Sequence, residues 1–313
     1  MMMRLIVTLL LLVAAGSAPA EPLSVLLDWF VNPDHAPLVV AERHGDFRRR
    51  GLDVRLIAPA DPNDPPKLVA ARQGDIAVSY QKSLHLAVDQ GLPLVRIGTL
   101  VATPLSTVTV LRDGPIRTLA DFRGRRIGYS VAGFEQVVMA AMLQESGIGV
   151  GDLRFVAVNF GLSTALMSGQ VDAIIGGFRN FELNQLELAG KPGRAFFPEE
   201  HGVPLYDELI YVAHRDRLGD PRLRAFIDAT EAATAYLVNN PDAAFAMFVE
   251  GRKELDDELN RRAWRDTLRR FAHAPAALDH NRYDRFARWL AERGMIRAVP
   301  PVASYAVELP PAP

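Results

Sequence analysis

Leu68-Val-Ala-Ala-Arg-Gln-Gly74-Asp75-Ile-Ala-Val and Leu166-Met-Ser-Gly169-Gln-Val-Asp172-Ala-Ile-Ile are two copies of one local pattern. Each ends an apolar helical stretch, passes through glycine and an acid, and enters a β-branched strand. The glycine suits the left-handed position that closes a helix. The copies lie about 95 residues apart, too far for a short-period solenoid. Helix–Gly–Asp–strand is also a common α/β connection, so the echo by itself only suggests two similar lobes. An aromatic follows each strand, Tyr80 in one copy and Phe178 in the other. Facing strand-end loops would place a ligand between the lobes.

The same alternation extends in both directions. Short apolar runs at 23–29, 53–57, 76–79, 94–99, 107–111, 126–129, 154–158, 173–175 and 209–214 read as strands. Helix-like stretches at 37–50, 65–73, 134–146 and 161–168 lie between them. Alternating β and α elements predict an α/β protein with mostly parallel sheets. Beyond Asp220 the period becomes helical, over 221–239, 241–249, 256–270 and 281–293, with Leu237, Phe248, Leu268, Phe271, Phe286, Trp289 and Leu290 facing inward. Asn240 and Asp279 read as helix starts, with Pro241 in the first helical position. Residues 299–313 hold five prolines and read as an extended or frayed tail.

The N-terminus indicates a compartment. Residues 1–20 carry Arg4, an apolar run over 5–15, and Ala18-Pro19-Ala20, a small-x-small site for signal peptidase. The run is shorter than a bilayer span of about 20 residues. Cleavage after Ala20 and export to a periplasm are the expectation, so the fold begins at Glu21.

Composition removes whole classes of chemistry. The chain has 313 residues, 49% hydrophobic, with 35 Lys+Arg against 37 Asp+Glu and a net charge of −2. That balance provides no basic field for nucleic acid. The absence of cysteine excludes disulfides, iron–sulfur clusters, thiolate zinc sites and cysteine nucleophiles. The histidines, His35, His44, His85, His201, His214, His273 and His280, form no H-E-x-x-H or other close metal-ligand pair. There is no G-x-S-x-G elbow, Walker loop or G-x-G-x-x-G. No catalytic residue, metal ligand or cofactor site is nominated.

Four strand-end loops do stand out. Asp28-Trp29-Phe30-Val31-Asn32-Pro33-Asp34-His35 gathers an acid, two rings, an amide and an imidazole, with Asp34 as the expected helix cap. Tyr80 and Gln81 sit in the second loop, Ser79 to His85. Tyr129, Ser130 and Gly133 form the third, whose free backbone N–H groups before a helix can receive a carbonyl or an anion. Phe178, Asn180 and Glu182 form the fourth. Each loop alone also reads as core rings plus a solvated turn. Two aromatic-plus-polar loops per lobe suit a flat heteroaromatic ligand, and a carboxylate such as Glu182 can pair with an amino group and ring nitrogen.

On these residues the chain resembles a known family. Residues 27–37, Gly51-Leu-Asp-Val, residues 64–70, Gly74-Asp-Ile-Ala-Val-Ser-Tyr-Gln and Gly128-Tyr-Ser are similar to periplasmic binding proteins of the thiamine-pyrimidine-synthase-like superfamily, ThiY type. The resemblance covers nearly all of the chain after residue 20. It implies a type II periplasmic binding protein fold, two α/β lobes joined by hinge strands with the helical C-terminal part packed on lobe one. Lobe one would be 21–110 plus 207–313 and lobe two 111–206, with crossings at 108–111 and 209–212. It further implies a solute-binding component of an ABC importer. That component would deliver a thiamine pyrimidine precursor, formylaminopyrimidine or a related hydroxymethylpyrimidine, to permease and ATPase subunits. Trp29 and Tyr80 would sandwich the pyrimidine, with Asp28, Asn180 and Glu182 as polar partners and Ser130 to Gly133 near the substituent. Two departures stand against the family pattern, Val31 in place of proline and Arg179 in place of an aromatic; an Arg179 facing the cleft would change the ligand. Relatives that bind riboflavin, sulfonates, taurine or nitrate are alternatives. Less favoured are the pyrimidine synthases of the superfamily, which use a cysteine-rich segment with iron, a histidine and a lysine: a chain with no cysteine and an export signal is expected not to be an enzyme.

Overall fold

The structure, a computed structural model, describes residues 22–311. The expected leader, 1–20, lies outside the described residues. Ten strands follow in chain order: β1 (Leu23–Leu26), β2 (Val54–Ile57), β3 (Ile76–Ser79), β4 (Leu94–Val101), β5 (Ser106–Leu111), β6 (Arg126–Tyr129), β7 (Arg154–Ala157), β8 (Ala173–Phe178), β9 (Gly193–Phe196) and β10 (Leu209–His214). They form two five-stranded sheets, ordered β2-β1-β3-β10-β4 and β7-β6-β8-β5-β9. In the first, β1 runs parallel to β2 and β3, while β10 is antiparallel to β3 and β4. In the second, β6 runs parallel to β7 and β8, while β5 is antiparallel to β8 and β9. The two sheets thus repeat one plan, and in each the antiparallel strand is the one entered on crossing from the other lobe. Residues 102–105 make the first crossing and 197–208 the second, both ahead of the positions read from the sequence, so the whole of β5 belongs to the second sheet.

The repeated pattern has a structural cause. Asp75, just before β3, accepts from the Ser24 backbone N (2.8 Å) and hydroxyl (2.7 Å) at the head of β1. Asp172, just before β8, accepts from Arg126 N (2.8 Å) and Nε (3.0 Å) at the head of β6. Each acid thus holds a backbone N–H at the head of the neighbouring parallel strand, Ser24 N in β1 and Arg126 N in β6. The glycines differ from expectation. Gly169 does take the left-handed position at φ 73°, but in the first copy Arg72 takes it at φ 61°. Gly74 is needed for packing instead, since a Cβ there would lie 2.8 Å from Leu26 Cδ1.

The strands β3, β10 and β4 are buried along their whole length, β4 although it ends the sheet, as the apolar runs require of strands covered on both faces. The expected helix over 37–50 breaks at Gly45 (φ 85°) into Ala36–His44 and Asp46–Arg49. Two helices begin inside stretches read as strand-end loops, Gln81–Asp89 within Ser79–His85 and Glu182–Leu188 at the end of Gly176–Glu182. The helices Pro221–Asn239, Pro241–Val249, Glu258–Thr267 and His280–Glu292 follow β10. Pro221–Asn239 and Pro241–Val249 bury Leu237 and Phe248 in the core of the first sheet. The last helix reaches both lobes: Tyr283 packs with Leu94 and Ile210 of the first sheet, while Phe286, Trp289 and Leu290 pack with Phe134 and Val137 of the second lobe.

The C-terminal stretch is not frayed over its described residues. Tyr305 and Leu309 are buried, and Ala306 pairs with Arg96 of β4 as a parallel bridge. Arg96, fully buried, donates to the carbonyls of Pro275, Ala276 and Val307 and to the Thr99 hydroxyl. An uncovered guanidinium inside a sheet would be costly, so those carbonyls hold the charge and fix the chain end in the same act.

Candidate functional site

The two sheets face each other across a cavity of about 850 Å³, its mouth included. Six rings line it: Trp29 and Tyr80 from the first lobe, Phe134, Phe178 and Phe181 from the second, and Tyr206 from the second crossing. Four carboxylates join them, Asp28, Asp34, Glu135 and Glu182, with Lys82 the one cation among the described lining residues.

The loop after β1 is organised around Asp28. Its Oδ1 lies 2.9 Å from His35 Nε2, and the Tyr80 hydroxyl donates to Oδ2 at 2.8 Å. His35 is fully buried and accepts from Asn32 N at Nδ1 (3.3 Å), which leaves Nε2–H to donate to Asp28. Burial first, then the negative charge of Asp28, raises the Tyr80 hydroxyl well above its ordinary range, so it stays a donor. Asn32, rather than Asp34, is the cap: its Oδ1 accepts from Asp34 N (2.8 Å) and its Nδ2 donates to Phe30 O (3.1 Å). The Asp34 carboxylate is therefore free to face the cavity. Trp29, half-buried, meets Phe160 of the second lobe edge-on at 4.6 Å.

Asp34 is bonded across the cleft. Asn180 Nδ2 donates to Asp34 Oδ1 (2.6 Å) and to Thr267 Oγ1 (2.7 Å), joining the loop after β8 to the first lobe. Burial pushes Asp34 up to about 6, against the lowering pull of His35 and Asn180. Burial also pushes Glu182 up to about 7, opposed by the Phe178 N–H and assisted by the charge of Asp34. Glu182 Oε2 accepts that N–H at 2.6 Å. At the other edge Asn63 joins the lobes, donating to Ser130 O (3.2 Å) and accepting from Ala132 N (2.9 Å). The lobes are closed on each other.

Lys82 sits on the first turn of Gln81–Asp89, where it donates to Ser106 Oγ (2.6 Å) and to Glu208 Oε1 (3.0 Å). Glu208, fully buried in the second crossing, also accepts from Leu105 N (2.7 Å) at the end of the first and from Ser106 N (2.8 Å) at the head of β5. Burial alone would raise this carboxyl, but Lys82 and the two N–H groups hold it below its ordinary value. One carboxylate thus ties both crossings to the lobe-one helix.

Seven of the residues read from the sequence line the cavity: Asp28, Trp29, Asn32, Tyr80, Ser130, Phe178 and Glu182. Five do not. His35 stands behind Asp28, and Asn180 serves the contact between lobes. Gln81 turns away, its Oε1 accepting from Asp207 N (2.8 Å), because it opens a helix whose next residues, Lys82 and Ser83, face the cleft. Tyr129 packs against the core of the second lobe. Gly133, at φ 112°, donates its N–H to Glu135 Oε2 (2.9 Å), and Phe134 N does the same (3.0 Å), so the backbone donors expected to receive a ligand are already engaged. Arg179 also turns from the cavity: it pairs with Glu199 (2.8 Å) and stacks 4.3 Å over Phe197. Asp34, Lys82, Glu135 and Tyr206 are cavity residues the sequence reading did not select. The signal for Lys82 was the helical spacing of Gln81, Leu84 and His85, which are buried together. Among the described residues no cluster of His, Asp and Glu can hold a metal, and no helix is long and apolar enough to cross a membrane.

Comparison with known proteins places this architecture. The family described as NMT1/THI5 like matches residues 32–244. A protein of Haemophilus influenzae named for thiamine biosynthesis is 47% identical over 300 residues, 96% of each chain. The formylaminopyrimidine-binding protein of Halalkalibacterium halodurans is 31% identical over 249 residues, 79% of this chain and 75% of that one. A 4-amino-5-hydroxymethyl-2-methylpyrimidine phosphate synthase of Legionella pneumophila is 25% identical, covering 88% of this chain and 87% of its own. In fold, the alkanesulfonate-binding protein SsuA of Xanthomonas axonopodis pv. citri, bound to MOPS, superposes with a TM-score of 0.72 at 16% identity, over 93% of this chain and 99% of that one. The fold is that of the periplasmic binding proteins, two α/β lobes about a cleft.

Proposed function

This chain belongs to the NMT1/THI5-like family, and on that premise we propose that it captures a thiamine pyrimidine precursor in its interlobe cavity. The observation that carries the reading is the pairing of a ring-walled cavity with Glu182, a buried carboxyl whose pKa is pushed up to about 7. A carboxyl in that range is a matched partner for the edge of a neutral 4-aminopyrimidine: protonated, it donates to the ring nitrogen and accepts from the amino group. Trp29 and Tyr80 flank the ring, each contact adding ~0.5–1.5 kcal/mol beyond its buried area. Asp28, Asn32, Ser130 and Phe178 complete the contacts, while His35, Gln81, Tyr129, Gly133 and Asn180 support them from behind. The name of the Halalkalibacterium relative, a formylaminopyrimidine-binding protein, supports this ligand class.

The role we infer is that of a solute-binding subunit exported after cleavage at Ala20, which hands its ligand to the permease of an ABC importer driven by its ATPase. In this reading the lobes divide at the crossings, residues 22–101 with 209–311 against 106–196. A carrier rather than a synthase is favoured by the lack of any cysteine for the iron-bearing segment that the synthase resemblance implies. Lys82, the lysine nearest that role, is engaged by Glu208 and Ser106. Titration of the purified protein with formylaminopyrimidine, followed by tryptophan fluorescence, tests the proposal: saturable quenching supports it, and an unchanged signal with formylamino-, hydroxymethyl- and aminomethylpyrimidine refutes it.

A further inference from the structure

The lining of the cavity has a consistent sign. Asp28, Asp34, Glu135 and Glu182 face it against Lys82 alone, and Lys82 is held by Glu208, a fifth carboxylate directly behind it. No arginine lines the cavity among the described residues; Arg179, the nearest in sequence to the site, is committed to Glu199. The backbone donors that an anion would seek are also taken. At the head of the helix Glu135–Leu143, Gly133 N and Phe134 N both point at Glu135 Oε2, and Phe178 N points at Glu182 Oε2. A phosphate or sulfonate entering this cavity would meet the protein's own carboxylates at the positions where helix-end N–H groups otherwise stabilise negative charge.

We propose that Glu135, together with Glu182, makes this cleft selective by charge: it admits uncharged or cationic heterocycles and rejects phosphate monoesters and sulfonates. The inference deepens the proposed function and rests on its assignment of the cavity as the ligand site. Its consequence is that the ligand is taken up before any phosphate is attached. That separates this cleft from the phosphate product named for the Legionella relative and from the MOPS held by the fold neighbour. Glu135 is the determinant to vary, because its carboxylate occupies the backbone donors of the third strand-end loop, and Lys82, the cation that most lowers its burial-raised pKa, is itself shared with Glu208.

The test is calorimetry at pH 8, with three probes: hydroxymethylpyrimidine, its phosphate monoester, and MOPS. The wild type is expected to bind the alcohol and to bind the monoester about 100-fold more weakly or worse, the scale of one like-charge contact at about 6 Å in a protein interior. Saturable heat with MOPS is not expected. Glu135→Gln should narrow the alcohol-to-monoester ratio by about tenfold. Glu135→Ser, which keeps a capping oxygen without the charge, serves if the amide destabilises the helix start. Equal binding of alcohol and monoester, saturable MOPS binding by the wild type, or an unchanged ratio in both variants would overturn the inference. Silence toward every pyrimidine would instead refute the proposed function, while the MOPS arm would still report on the charge rule.

Discussion

Replacing Glu182 with glutamine should make the protein more stable, with the gain confined to neutral and alkaline pH. The folded state holds this carboxyl at about 7 against an ordinary 4.5. The fold therefore keeps the proton longer than the unfolded chain does, and stability is lost as pH rises from 4.5 through 7. At pH 8 the ionised group costs the fold about 3 kcal/mol, at ~1.4 kcal/mol for each pKa step. Glutamine removes that cost and keeps a carbonyl for the Phe178 N–H, whose pull on the charge, like the repulsion from Asp34, is already contained in the shift. The net gain is about 3 kcal/mol, which for a chain of this size raises the melting temperature by about 5 °C. Scanning calorimetry of both proteins without ligand, at pH 4.5 and pH 8, reads the effect. Coincident melts at pH 4.5 and a higher one for the variant at pH 8 are expected. A variant that melts lower at pH 8, or one whose difference from wild type is the same at both values, would refute that expectation.

Three other outcomes follow from the same geometry. Glu208→Ala should cost about 4 kcal/mol in urea unfolding, since it strands Lys82 and two buried N–H groups; a loss under 1 kcal/mol would show that the crossings do not depend on it. Because Lys82 and those N–H groups hold Glu208 below its ordinary 4.5, its contribution is complete above that value and is lost as pH falls through the folded one, so Glu208→Gln should flatten the acid limb of the melting profile. Asn180→Ala, which removes the bonds to Asp34 and Thr267, should weaken ligand binding about tenfold through faster release and enlarge the radius of gyration in solution scattering; an unchanged off-rate would mean that this contact does not hold the closed form.

The parts of the fold that were legible in the sequence are those governed by local rules. Asp75 and Asp172 announced the two lobes because the same strand-head donor has to be satisfied in each. The strands around them read as apolar runs because they are covered on both faces. The starts of Gln81–Asp89 and Glu182–Leu188 read as loop because residues that begin a helix at a cavity are polar for the sake of the cavity, which masks the helical period. The edge strand β9, Gly193–Phe196, carries no apolar run since it is only half-buried. Long-range contacts were illegible for a different reason. The chain end is fixed by Arg96, more than 200 residues away, and Asp34 was released from its expected capping role when Asn32 took it. Five of the twelve chosen site residues stand one step back from the cavity for the same kind of reason, as with Gln81, whose partner Asp207 lies in the second crossing.

The charge and shape of what the cleft holds are tested most directly by one titration. Calorimetry of the wild-type protein with formylaminopyrimidine should give one site per chain with a dissociation constant in the micromolar range or tighter, about −8 kcal/mol or more favourable. The Glu182→Ala variant should bind at least about tenfold more weakly, since neither hydrogen bond to the pyrimidine edge can then form. No heat from the wild type with the formylamino, hydroxymethyl and aminomethyl compounds, or equal affinity in the variant, would contradict the assignment of Glu182 and its cavity to an aminopyrimidine.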